Sequence, residues 1–207
     1  MPNTFDDNRP GTLEVPESAA VRSWDYRLIV CRSIRLAFAL STLALFFAPI
    51  AAGEMRWLDI GFRGSAYATD EREDLEQYEL FASYGLPWRW DLPGGWDLST
   101  KIEVTAGALA GGGETGLVTS LGPGLVLSSP SGRLAFDGGS SAAFLSRDKF
   151  GEQDFGLKFQ FISHAGLRFK LTPKLGIGYR YQHMSNASIS AQNPGLDLHM
   201  LQISFHF

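Results

Sequence analysis

The chain has 207 residues and a formal net charge of −4; 44% of its residues are hydrophobic and 13% aromatic. That length suffices for one domain with a real core, and the acidic balance offers no basic surface for nucleic acid. A single cysteine, Cys31, excludes an intramolecular disulfide and a thiolate-rich metal site.

Residues 1–30 are polar, rich in Pro, Asp and Glu, and lack a sustained period. This predicts disorder, or a start placed too far upstream with translation beginning near Val30. Residues 31–53 have the form of a secretory signal. Arg32 and Arg35 make a basic n-region, Leu36 to Phe47 an apolar run, and Pro49 breaks it; Ala51, Ala52 and Gly53 then offer a cleavage site before Glu54. The run is shorter than the ~20 residues a membrane-spanning helix needs. Cys31 precedes it, which excludes a lipoprotein signal. The mature domain is expected over 54–207.

From Trp57 onward the pattern has period 2, which predicts strands with two different faces. Leu58, Ile60 and Phe62 mark a first strand, and Tyr78, Leu80, Ala82 and Tyr84 a second. Trp96, Leu98, Ile102 and Val104 mark a third, facing away from Asp97, Lys101 and Glu103. A fourth runs from Leu117 to Leu127, interrupted at Gly122, Pro123 and Gly124, since proline suits bulges and edges. The fifth covers 133–145. A long sixth carries Leu157, Phe159, Phe161, Ala165, Leu167 and Phe169 against Lys158, Gln160, His164, Arg168 and Lys170. The segment 174–207 supplies a terminal hairpin, the seventh and eighth strands.

The connections alternate. Those at 91–95, 129–132 and 172–174 are short and carry Pro, Gly or both, as tight turns require. Those at 68–75, 110–116, 146–155 and 186–196 are longer and polar. Short turns at one end and long loops at the other predict an all-β fold, an eight-stranded antiparallel transmembrane β-barrel of the outer-membrane type. Closure removes the sheet edges, which lipid does not tolerate. The inward row then carries Lys, Glu, Arg and Gln, expected to pair across a polar, side-chain-filled lumen too narrow for a solute pore. Phe207, Phe205, Ile203 and Leu201 form a terminal alternation of the kind read by the barrel assembly machinery. A soluble lipocalin-like barrel would instead bury its apolar row and expose the Lys and Glu row.

The terminal hairpin breaks the apolar pattern at one place. On its first strand Leu175, Ile177, Tyr179 and Tyr181 share a face that continues to His183 and Ser185; on its second, Asp197 and His199 lead into Leu201, Ile203, Phe205 and Phe207. From Phe207 back to Asp197 is about 33 Å of strand at roughly 3.3 Å per residue. At a tilt near 45° this is about 23 Å of height, close to the ~25 Å apolar band of such barrels. A hydroxyl, an imidazole and a carboxylate are thus expected together on the lipid-facing side, level with the outer-leaflet head groups. In a Gram-negative outer membrane that leaflet is lipopolysaccharide.

The run from Gln182 to Asp197, QHMSNASISAQNPGLD, resembles the motif of the lipid A 3-O-deacylases, the PagL or acyloxyacyl-hydrolase-like family. It has His-x-Ser-Asn-Ala, an Asn with Gly close behind, and an acid twelve places after the serine. The resemblance implies an outer-membrane serine hydrolase that removes the 3-O-linked hydroxyacyl chain of lipid A without metal or cofactor. It makes Ser185 the nucleophile, His183 the general base and Asp197 the orienting acid, and it places Asn186 and Asn193 at the oxyanion hole. The motif covers sixteen residues. Where the family pattern has Glu, this chain has Asp197, one methylene shorter, so either the backbone approaches or the bond to His183 lengthens.

The expected partners are lipid A or lipopolysaccharide, the surrounding outer-membrane lipids and, through Phe207, the assembly machinery; the pattern leaves open whether the barrel pairs as a homodimer. The rival function is a non-catalytic barrel for adhesion, envelope integrity or ligand binding, with a relic triad. His164 and His206 fall on inward rows and belong to the lumen network, while His199 shares the row of Asp197. Trp57, Trp88, Trp90, Trp96, Tyr179 and Tyr181 read as girdle aromatics, the two tyrosines also as walls of an acyl groove. The glycines at 111–113 are a loop tip, too few for a phosphate loop.

Overall fold

A computed structural model describes residues 55–69 and 74–207; the expected disordered segment and secretory signal, 1–53, lie outside them. The elements are β1 (Arg56–Thr69), β2 (Glu76–Leu92), a 3-10 turn (Pro93–Gly95), β3 (Trp96–Gly111), β4 (Glu114–Ser128) and β5 (Leu134–Leu145). Two short strands follow, β6 (Lys149–Phe150) and β7 (Gln153–Asp154), then β8 (Phe159–Lys170), β9 (Leu175–Ser185) and β10 (Leu196–His206). Eight of them close a barrel in the order β1-β10-β9-β8-β5-β4-β3-β2, while β6 and β7 form a separate hairpin. Strand β10 pairs antiparallel with β1, from Asp59 opposite His206 to Thr69 opposite Asp197. The sheet therefore has no free edge.

The faces are inverted relative to a soluble barrel. Ile60, Phe62, Leu80, Val104, Leu121, Phe136, Leu167, Ile177, Leu201, Ile203 and Phe205 are exposed, whereas Asp59, Arg63, Glu79, Lys101, Glu103 and Arg180 are buried. An apolar outer face with charges inside suits lipid, not water. Within the lumen, Glu103 accepts from Arg63 at 2.9 Å and from Lys101 at 2.7 Å, and it pairs with Arg180. Lys101 also reaches Asp137 at 2.9 Å, and Arg168 reaches Asp59 at 2.8 Å. His164 and His206 are buried inside, on the expected rows.

The polar lumen does not extend to the loop end. There Leu109, Val118, Leu145, Ile162, Met184, Leu198 and Met200 form a buried apolar cluster with Leu75, Leu196, Phe150 and Phe155. Phe150, which ends β6, and Phe155, which follows β7, fold the β5–β8 connection over the barrel mouth. At the opposite, turn end a cavity of about 400 Å³ opens among Arg56, Asp59, Arg133, Arg168 and His206.

Three local expectations need correction. Leu58 does not share the row of Ile60: the register shifts between Trp57 and Asp59, so Trp57 keeps the outer row and meets Tyr84, while Leu58 lies against Gly85. Strand β4 is not interrupted. Its pairing with β3 is continuous through Ile102 opposite Pro123, and only the ladder to β5 lapses at Gly122 and Pro123. Proline lacks one donor, so only one neighbour loses a bond. Last, the expected long loop over 110–116 is a tight turn at Gly112 and Gly113, with φ of 57° and 75°. Two central residues with positive φ are what a two-residue hairpin of type I′ demands.

Candidate active site

Strands β9 and β10 are in register so that His183 lies directly opposite Asp197. Directly paired residues bring their side chains within reach on a common face, here the outer one. His183 Nδ1 and Asp197 Oδ1 stand 2.7 Å apart, with the two side chains 45% and 36% exposed. A carboxylate accepts only, so the ring proton is on Nδ1 and Nε2 is left as the acceptor. That is the tautomer a general base needs. Ser185, half-buried, is two residues along β9 and leaves the same face. The sequence-predicted trio is thus brought onto one outer surface at the loop end of the barrel. The missing methylene of Asp197 is compensated by direct strand pairing, and the bond is not lengthened.

The connection after Ser185 has a fixed shape. Ala187 and Ser188 both adopt left-handed backbone, with φ of 54° and 64°, a conformation that costs roughly 1–2 kcal/mol at each residue with a Cβ. Asn186, on the inward row with Met184 and Gln182, is fully buried. Its Nδ2 donates to Phe155 O at 2.9 Å and to Gln192 O at 2.6 Å, and its backbone N–H donates to Asn193 Oδ1 at 3.0 Å. The Asn186 side chain therefore faces the interior rather than the outer surface that bears Ser185. Asn193 is bound to the Asn186 backbone through its oxygen, so its Nδ2 is the donor end that remains at the tip.

Gly195, the glycine close behind Asn193 in the motif, and Tyr181, which the motif does not include, also bear on the site. Gly195, with φ of 80°, lies under the imidazole: a Cβ there would come within 3.2 Å of His183 Cε1. Its carbonyl accepts from Gln153 Nε2 at 3.1 Å, so the β6–β7 hairpin reaches the site loop from outside the terminal hairpin. On the outer face, the Tyr181 hydroxyl donates to Asp197 Oδ1 at 2.8 Å. Period 2 places Tyr181 on the row of His183, but only the register shows that it reaches the carboxylate.

A family model described as lipid A 3-O-deacylase (PagL) matches residues 76–206. A curated relative, the lipid A deacylase PagL of Bordetella bronchiseptica, is 43% identical over 75 residues, which is 36% of this chain and 42% of that protein. The match thus spans about two fifths of the relative's length. Among solved structures, the crystal structure of the outer membrane enzyme PagL aligns with a TM-score of 0.63 at 21% identity. It covers 70% of this chain and 97% of that one, a likeness of fold.

Proposed function

The chain belongs to the lipid A 3-O-deacylase (PagL) family, and from that premise we propose that it hydrolyses the ester-linked 3-hydroxyacyl chain of lipid A by a Ser-His-Asp mechanism on the outer wall of its barrel. The protein is an outer-membrane β-barrel, so its site meets a substrate that is itself a component of the membrane. The observation that carries the reading is the 2.7 Å contact of His183 Nδ1 with Asp197 Oδ1 on the lipid-facing row that also bears Ser185.

In this mechanism Ser185 Oγ attacks the ester carbonyl while His183 Nε2 takes the hydroxyl proton. Asp197 holds the ring and stabilises the imidazolium as it forms. The tetrahedral intermediate collapses with rupture of the bond to the sugar oxygen, which leaves with the proton from His183. Water, activated by the same ring, then cleaves the acyl-serine and releases a 3-hydroxy fatty acid. The proposed oxyanion donors are Asn193 Nδ2 and backbone amides of the turn after Ser185; donors of this kind contribute ~10²–10³ in rate. Asn186 anchors that turn through its buried side chain. The mature chain is proposed to be the barrel from 54 onward, after removal of the segment 31–53.

Mass spectrometry of lipid A from cells expressing wild type or Ser185→Ala tests the reading. Wild type should remove a hydroxyacyl chain and Ser185→Ala should leave lipid A intact, with both proteins equally abundant in the outer membrane. Equal deacylation by the two, or none by wild type, would leave the non-catalytic barrel as the better account.

A further inference from the structure

Asp197 Oδ1 accepts two hydrogen bonds: from His183 Nδ1 at 2.7 Å and from the Tyr181 hydroxyl at 2.8 Å. A carboxylate oxygen has two lone pairs, and here a different ring is directed at each. Tyr181 lies directly opposite His199 across the β9–β10 ladder. The two rings pack with centroids 5.4 Å apart, and His199 Nδ1 is in turn hydrogen-bonded to the Tyr179 hydroxyl. The row Tyr179, His199, Tyr181, Asp197, His183 is thus one connected set of side chains on the lipid-facing wall, ending beside Ser185.

We infer that Tyr181 is a positioning residue for the proposed triad: its hydroxyl fixes the Asp197 rotamer that orients His183 and shares the negative charge on Asp197 Oδ1. The inference rests on the Ser-His-Asp reading and adds a member to it. A girdle tyrosine turns its hydroxyl to water and head groups, whereas this hydroxyl is turned onto the carboxylate. The need for it follows from the exposure of Asp197. A partly exposed carboxylate can rotate about its terminal torsion, which is broad, and a base displaced by even 1 Å can lose ~10²-fold in rate. The Tyr181 hydroxyl, on a ring packed against His199, restrains that freedom.

The second consequence is electrostatic. A donor to the charged form of a carboxylate lowers its basicity, so Tyr181 moderates the pull of Asp197 on the His183 proton. Among the described residues, the titratable groups ranged along this contact are His183, Tyr181 and Tyr179 on β9, His199 on β10 and, by register, Tyr67 on β1. Strand β8 presents Phe161, Ser163 and Ala165 opposite Ser185, His183 and Tyr181, none of them charged. Strand β1 places Tyr67 and Thr69 opposite His199 and Asp197, and the loop 186–195 contains no charged residue.

The test is Tyr181→Phe, which keeps the ring and removes the hydroxyl. Deacylation should be measured across pH on lipid A in detergent micelles, and the His183 Nδ1 proton resonance recorded by NMR in the same protein. The expected result is a kcat lower by roughly tenfold with KM within about twofold, the split of a residue that acts on the chemical step. The acidic limb of kcat/KM should move upward and the Nδ1 proton resonance downfield, as loss of a donor concentrates charge on the carboxylate. A residue that only lined an acyl groove would raise KM and leave both in place. A kcat within twofold of wild type, or an Nδ1 resonance that stays where it is, overturns the inference. Wild-type protein without Ser185-dependent turnover would instead sink the reading of the site, and the Nδ1 resonance alone would then decide whether Tyr181 acts on Asp197.

Discussion

Gln153 and Gly195, 42 positions apart, are joined by a hydrogen bond of 3.1 Å from Gln153 Nε2 to the Gly195 carbonyl. Gln153 is buried on the β6–β7 hairpin, whose Phe150 belongs, with the following Phe155, to the apolar cluster at the loop end. Gly195 in turn supports the His183 ring. The inside of the barrel mouth is thereby connected to a site on its outside. Gln153→Ala should lower kcat by roughly tenfold while the barrel remains folded, since a net hydrogen bond contributes only ~1 kcal/mol. Kinetics on lipid A, with far-UV circular dichroism as the control, would check this.

Gly195 itself makes a sharper prediction. An alanine there would place its Cβ 3.2 Å from His183 Cε1 and would hold a left-handed φ of 80°, costing roughly 1–2 kcal/mol in backbone strain. Gly195→Ala should therefore lose more activity than Gln153→Ala, with kcat falling further and the protein still reaching the outer membrane. Equal activity of Gly195→Ala and wild type would show that the ring does not depend on this support.

Much of this arrangement was legible from period 2 alone, because the barrel wall imposes a strict alternation. The parity that puts Ser185 and His183 outside also puts Asn186 inside, so its interior role follows from the same rule, although the motif resemblance drew it toward the oxyanion hole. Register was not legible. That Tyr181 meets Asp197, and that Gln153 meets Gly195, depends on which residues lie opposite one another and on a loop folding back over the mouth. Lys, Glu, Arg and Gln on the inward row predict a polar interior, yet Leu109, Val118, Ile162 and Met184 close its upper part. Composition per strand does not say at which height the polar residues end. Gly112 and Gly113 looked like a loop because a polar, glycine-rich stretch serves a tight turn as well as a long one.

The lumen network predicts where stability is most sensitive. Glu103 is buried and bonded to Arg63, Lys101 and Arg180. Removing one partner from a buried ionic cluster leaves uncompensated charge and typically costs about 3–5 kcal/mol. Glu103→Ala should lower the temperature at which the folded barrel converts to its slower-migrating form on semi-native gels, by far more than Leu201→Ala on the lipid face. Glu103→Gln should fall between wild type and Glu103→Ala, since it keeps an acceptor but not the charge.

The length of the acidic side chain can be tested directly. If a short carboxylate were a defect, Asp197→Glu would raise activity. The structure argues the opposite, because Asp197 already reaches His183 Nδ1 at 2.7 Å and receives Tyr181 at 2.8 Å. With strands β9 and β10 fixed by their ladder, an extra methylene has to fold away from one of those two donors. Asp197→Glu should therefore lower kcat by several-fold, and the loss should shrink when Tyr181 is already Phe. Residues that act as one unit are non-additive, so the double variant Asp197→Glu with Tyr181→Phe should be more active than the product of the two single losses. Asp197→Asn keeps the length and removes the charge. It should be the most damaging of the three, because a neutral amide no longer stabilises the imidazolium and can present its NH₂ to Nδ1, favouring the wrong tautomer. A full deacylation series over wild type, Asp197→Glu, Asp197→Asn, Tyr181→Phe and the double variant measures the coupling. Strict additivity of the Asp197→Glu and Tyr181→Phe losses would mean that the two side chains do not act on a shared carboxylate oxygen.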